Sequence, residues 1–208
     1  MHIYFVRHGE TLLNRKHVHQ SPNTPLSSKG REQVLTVAEF LRDMNPDALI
    51  TSEYTRALES ARIIGSSVGL KPTVSGYFYE IMRPSRLFGK SHFALETFWY
   101  VILSVIHRKN KSWRYKDAEN FFDISNRAKK ALEYLESLRD THSSVVVVSH
   151  TVFINTMVSY MCKNKILDLR DLFFTFFHIE RMKNASVIHV KYNGATAPYT
   201  CSWTHVPE

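Results

Sequence analysis

Three features of the 208-residue sequence predict an α/β fold built as a three-layer sandwich, with a mostly parallel central sheet, helices on both faces and a helical cap insertion. Short apolar runs at Ile3 to Val6, Ala48 to Ile50 and Val145 to Val148 have the length and composition of buried strands. Each is followed by a stretch with helical spacing. Strands alternating with helices make βαβ units, and a strand that is apolar on both sides needs cover on both faces. A long excursion separates the second unit from the third.

After the first run, a polar Pro-containing loop from Gly9 to Pro25 leads to a helix from Ser28 to Met44. There Val34, Val37, Ala38, Leu41 and Met44 keep a 3.6 spacing, and Asn45-Pro46 ends it. The second run is followed by a helix from Thr55 to Val68, stopped at Gly69, and the third by one from Val152 to Cys162. Within the excursion, Ser91 to His107 reads as a helix and His107 to Lys116 as a basic loop. Ile124 to Leu138 reads as an amphipathic helix with Ile124, Ala128, Ala131, Leu135 and Leu138 on one face. The tail alternates over Ala185 to Tyr192 and Thr200 to Val206, as late strands do.

At roughly 150 residues per domain the length gives between one and two. The sequence is therefore expected to form one domain over 1–208, with 81–123 as a cap-type insertion. The composition excludes disordered, collagenous and disulfide-scaffold classes. Cys162 and Cys201 are too few for a disulfide framework, and Met1 opens directly onto a strand-like run, so the expected location is the cytoplasm. Phe98 to Ile106, the longest apolar run, falls short of the roughly 20 residues that span a bilayer. Net charge is +8, and the segment from Arg83 to Lys116 holds eight basic residues against Glu96 alone. One segment thus carries nearly all the excess.

Ligands of an open parallel sheet bind beyond the carboxyl ends of the strands. Those positions hold Arg7-His8-Gly9-Glu10-Thr11, Thr51-Ser52 with Arg56, and Ser149-His150-Thr151, while Glu80 follows the apolar stretch Tyr77 to Tyr79. Two arginines, two histidines and a carboxyl suit phosphoryl transfer, because guanidinium forks match phosphate oxygens two at a time. A neutral imidazole can attack phosphorus in line, and a carboxylic acid can protonate the leaving oxygen.

These residues resemble the signature of the histidine phosphatase superfamily, also called phosphoglycerate-mutase-like. The likeness runs from Arg7-His8-Gly9-Glu10-Thr11 through Asn14, Pro25-Leu26-Ser27 with Gly30, Ser52 with Arg56-Ala57 and Ala61, Glu80, and Ser149-His150. It implies His8 as the nucleophile that is transiently phosphorylated, and Arg7, Arg56 and His150 as the phosphate pocket. It implies Glu80 as proton donor to the leaving group and Asn14, Gln20, Ser21 and Thr151 as substrate-binding residues. It also places the excursion over the site as a cap, with its positive charge at the entrance. No metal or other cofactor is expected. Thr151 stands where a Gly often follows the second His, Glu59 replaces a frequent Gln, and Ser21 replaces Gly; these changes affect the pocket's shape rather than its chemistry.

Other features have plainer readings. His17 and His19 have no cysteine or carboxylate partner in register, so they are expected to be solvated or substrate-facing rather than zinc ligands. Phe98 to Ile106 could touch a membrane beside its basic loop, but burial of a cap helix is the expectation. The loop from His107 to Lys116, with Trp113 and Tyr115 interleaved, resembles single-strand nucleic-acid binders in composition. A solvated loop or electrostatic guidance of an anionic substrate ranks ahead of that. The expected activity is metal-independent hydrolysis of phosphomonoesters of small metabolites, releasing inorganic phosphate. The alternatives are a phosphoglycerate mutase-type transfer and a non-enzymatic polyanion-binding protein. Mutases of this family resemble one another in a Glu-Arg-His-Tyr-Gly run, whereas this chain reads Glu80-Ile81-Met82-Arg83-Pro84.

Overall fold

The computed structural model describes residues 1–163, 182–193 and 199–204. Six strands form one sheet in the order β3-β2-β4-β1-β5-β6. Strands β1 (His2–Arg7), β4 (Ser144–Ser149), β2 (Ala48–Thr51) and the two-residue β3 (Thr73–Val74) run parallel. Strands β5 (Val187–Tyr192) and β6 (Tyr199–Thr204) add an antiparallel edge beside β1. In β4 every residue is buried, and in β1 the four central ones are, as a strand covered on both faces requires.

Helices α2 (Ser28–Asp43) and α3 (Thr55–Val68) cover one face, packing Val34, Leu41, Ala57 and Ile64 against Tyr4, Val6, Val146 and Val148. Helices α5 (Phe121–Ser137) and α6 (Thr151–Lys163) cover the other, packing Ala131, Leu135, Phe153 and Met157 against Ile3, Phe5, Val145 and Val147. Alternate residues of the same strands thus serve two cores. The chain leaves β1 through a short helix and α2 toward β2 and leaves β4 through α6 toward β5, so the connections part in opposite directions between β1 and β4. That is the switch point where α/β sheets open a crevice.

The local differences from expectation have identifiable causes. A short α1 (Leu12–Arg15) interrupts the loop after β1, where Thr11 and Asn14 form a reciprocal capping box. Helix α4 (Leu95–Ile106) starts four residues later than its pattern suggests, because Ser91 accepts hydrogen bonds from Phe93 N and Ala94 N and holds a turn there. Helix α5 starts three residues earlier, at the capping box of Asn120 with Asp123. Cys162 on α6 and Cys201 on β6 pair across a Cα separation of 6.2 Å, within the range of a disulfide. No helix among the described residues is long and apolar enough to cross a membrane.

Candidate active site

The residue after β1 and the residue after β4 are placed side by side by strand register. Arg7 lies opposite Ser149, and His8 N donates to Ser149 O at 3.1 Å, so His8 and His150 emerge from adjacent strands with ring centroids 5.1 Å apart. The loop after His8 is fixed by close packing against the start of α2. A Cβ on Gly9 would lie 2.2 Å from Gly30 O, and one on Gly30 would lie 2.1 Å from Glu10 O. Ser27 caps α2 through Gly30 N and also donates its hydroxyl to Glu10.

His8 is 3% exposed. Its Nδ1 bonds to the Gly9 carbonyl at 2.7 Å; a carbonyl can only accept, so the proton sits on Nδ1 and the Nε2 lone pair is presented. Arg56 Nε donates to that Nε2 at 3.2 Å, and Arg56 is held by the Ser21 carbonyl at 3.0 Å. Burial, reinforced by the Arg56 and Arg7 cations, holds the His8 pKa well below the ordinary imidazole value. Neutral His8 is therefore the form present at pH 7. Burial also lowers Arg7 and Arg56 to about 10, which leaves both cationic at that pH. Arg7 donates through its guanidinium to Met182 O, while its Nε has no partner among the described residues.

His150 is fully buried and neutral, its pKa depressed first by burial and then by Arg56. Its Nε2 lies 2.8 Å from Ser52 Oγ, which accepts from Tyr54 N and can donate to the ring. That assignment puts the proton on Nδ1, an atom with no partner among the described residues. The Tyr54 ring packs edge-on to His150 at 5.1 Å, and burial raises the Tyr54 pKa to about 12.

A cavity of about 650 Å³ opens over these groups. Arg7, His8, Arg56 and Glu80 line it together with Asn14, Gln20 and Thr151. Two expected residues are placed differently. Ser21 reaches Arg56 through its backbone carbonyl, and its hydroxyl turns to Thr24. His150 backs His8 rather than facing the cavity, because Ser52 and Tyr54 hold it from behind. Gln20 and Asn14 are tied together through the Thr11 hydroxyl. The cavity's outer wall includes Ile81, Met82, Arg83, Phe88 and Asp117, all from the excursion.

Glu80 accepts from Ile81 N at 3.0 Å and from Phe153 N and Val152 N in the first turn of α6 at 3.2 and 3.3 Å. Its loop hangs on a buried ion pair that sequence reasoning missed. Arg127 bonds bidentately to Glu119 at 2.9 and 2.8 Å and donates to the carbonyls of Tyr77 and Tyr79 at 3.1 and 2.8 Å. Glu119 accepts from Met82 N and from the Tyr79 hydroxyl, so both flanks of Glu80 are clamped. The Arg127 guanidinium also stacks over the rings of Tyr79 and Phe153. The signal was available: Arg127 stands one turn after Ile124 and next to Ala128, on the apolar face of its helix, where a cation needs a partner.

The two neighbouring histidines also separate. His17 is exposed and lines the cavity, but His19 is 1% exposed, neither solvated nor facing the cavity. Its Nδ1 accepts from Arg83 at 3.1 Å and its Nε2 lies 2.9 Å from the Thr97 hydroxyl, which ties the first loop to α4. Among the described residues no group of three or more His, Cys, Asp or Glu side chains is arranged to hold a metal.

A doubly wound sheet with imidazole and guanidinium groups at its switch point defines a protein that handles phosphate esters. The model of the histidine phosphatase superfamily (branch 1) matches residues 3–200, and the chain belongs to that family. A probable phosphoglycerate mutase GpmB from Erwinia tasmaniensis is 28% identical over 164 residues, 76% of this chain and 74% of its own. An Escherichia coli K-12 structure described as a putative alpha-ribazole-5'-P phosphatase superposes with a TM-score of 0.77 at 20% identity, covering 98% and 96% of the two chains. A mycobacterial glucosyl-3-phosphoglycerate phosphatase superposes with a TM-score of 0.76 at 20% identity, covering 97% and 96%. Family membership makes the chain an enzyme of the phosphatase or mutase type.

Proposed function

We propose that this protein hydrolyses phosphomonoesters of small metabolites through a phosphohistidine on His8. The observation that carries the reading is the presented Nε2 of a neutral, buried His8 beside Arg56, in a cavity that Arg7, with its unpartnered Nε, also lines. Phosphoryl oxygens arriving there would give the Arg7 Nε an acceptor. Nε2 attacks phosphorus as the bond to the ester oxygen breaks, and Glu80 gives that oxygen its proton. Water then attacks the phosphorus, Glu80 takes a proton from it, and the bond to Nε2 breaks to release inorganic phosphate. Arg7 and Arg56 hold the charge that develops on the oxygens, and His150 supports His8 from behind. Asn14, Gln20 and Thr151 contact the substrate from the cavity wall, and Ser21 acts through Arg56. No metal takes part.

A cavity of about 650 Å³ falls within the range usual for small-molecule sites, which supports a metabolite over a phosphoprotein. Residues 81–123 serve as the cap of a single domain spanning 1–208, and their positive charge guides anions inward. Transfer of a mutase type is the second reading, favoured by the names of the curated relatives. Ile81 and Met82 weigh against it, since they put apolar side chains on the wall directly after Glu80. Incubating the protein with 3-phosphoglycerate and 2,3-bisphosphoglycerate separates the two: a mutase interconverts isomers without releasing phosphate. A polyanion-binding protein without turnover would instead show salt-dependent nucleic-acid affinity and no phosphate release from any ester.

The proposed location is the cytoplasm. The pairing of Cys162 with Cys201 weighs against that location, where both thiols are expected to be reduced and to react with an alkylating agent; a pair that resists alkylation until reduced counts against the cytoplasm.

A further inference from the structure

Helix α4 is apolar on two opposite sides. Its inner side, Tyr100, Val101 and Val105, walls a cavity of about 90 Å³ closed by Trp113, Phe121 and Ile124. The outer side carries Leu95, Phe98, Trp99, Ile102 and Ile106, a stripe at helical spacing. Leu95 is 70% exposed, Phe98 57%, Trp99 50% and Ile106 63%, and Phe93 just before the helix is 80% exposed. Only Thr97 in the whole helix is fully buried, so the expected burial holds for one side alone. Scattered exposed apolar residues are ordinary, but a contiguous stripe of large ones marks a contact face.

Charge identifies what the stripe contacts. The single charged residue of α4, Glu96, is neutralised by Arg86 and Lys90. Directly after the helix, Arg108, Lys109, Lys111 and Lys116 are exposed, and none of them pairs with a carboxylate among the described residues. A bulky aromatic and aliphatic stripe that runs into unneutralised cations fits an anionic lipid surface: the apolar groups enter the boundary between headgroups and acyl chains while the cations meet the headgroups. A second copy of this chain would bring two segments of the same sign together. Nucleic acid would leave Leu95 and Ile106 without a role.

We propose that the outer face of α4 and the loop 107–116 dock this protein peripherally on an anionic membrane surface. The test is sedimentation with vesicles of phosphatidylcholine alone or mixed with phosphatidylglycerol, alongside tryptophan emission. The full chain is expected to sediment with the mixed vesicles at low salt, to shift its emission to the blue, and to bind neutral vesicles at least tenfold more weakly. Lys109→Gln with Lys111→Gln should weaken binding about fivefold per residue, and Phe98→Ser with Trp99→Ser should abolish the emission shift. Absence of binding to mixed vesicles, or binding that neither variant changes, overturns the proposal. So does a dimer in equilibrium sedimentation that Phe98→Ser with Trp99→Ser dissociates, since the face is then a contact between copies. Hydrolysis of a soluble phosphoester is unchanged in Phe98→Ser with Trp99→Ser, whose side chains do not line the cavity over His8, so docking and catalysis stand or fall separately.

Discussion

The switch point and the excursion both combine apolar and basic side chains and use them in opposite ways. At the switch point, Arg7 and Arg56 are drawn into a floor knit by backbone bonds from His8 to Ser149, Ser52 to Val148 and Ala185 to His8. In the excursion, α4 turns Leu95, Phe98 and Trp99 to the outside, and its neighbouring cations stay in water. The difference is one of cover: the sheet offers each side chain a second layer, while α4 has a single layer beneath it. Arg127 and Glu119 belong to both regions, since they fasten the excursion's entry to α5.

The largest expected effect is at the floor. His8→Ala should reduce phosphate release by roughly 10⁴ or more with an unchanged circular dichroism spectrum; hydrolysis at the wild-type rate would remove His8 from the mechanism. Arg56→Ala should cost on the order of 10² to 10³ in kcat, measured on the same ester, because one donor at Nε2 is lost. At the junction, Arg127→Met should destabilise the fold by about 3 to 5 kcal/mol in urea titration, since it leaves Glu119 buried and unpaired. A loss below about 1 kcal/mol would mean that the clamp is not under load.

A smaller effect concerns pH. Burial, with Arg83 and His92, lowers His19 to about 3, whereas the unfolded chain takes up that proton near 6.5. Between those values the unfolded state binds more protons, so stability falls as pH falls. His19→Gln should flatten that decline by about 1.4 kcal/mol per pH unit between pH 6 and 4, and an unchanged slope would show that His19 protonates in place. The smallest effect is at the outer face, where Phe98→Ser should change stability by no more than about 0.5 kcal/mol, read from the same titrations.

Periodicity carried the floor. Strands β1, β2 and β4 and helices α2 and α3 were legible because their apolar spacing and their stops at Asn45-Pro46 and Gly69 are local facts. The convergence of Arg7, His8 and Arg56 on one cavity followed from placing each beyond a strand end, and that of Glu80 from its place after the apolar stretch Tyr77 to Tyr79. What sequence reading missed depends on contacts far apart in the chain. The two-residue β3 exists through its pairing with β2. His19 is buried because Thr97, seventy-eight positions away, receives it. His150 lies behind the cavity because Ser52 holds its ring. The inner half of α4 behaved as its hydrophobicity suggests; its outer half shows that an apolar pattern states a need for cover without naming what supplies it.

The packing of Gly9 on Gly30 bears on how relatives of this chain diverge. A descendant that abandoned catalysis could discard its imidazole freely, yet an alanine at either glycine would pry α2 away from the turn and endanger folding itself. In Arg7-His8-Gly9 the final letter therefore testifies to shared ancestry, and only the two letters before it testify to a working enzyme.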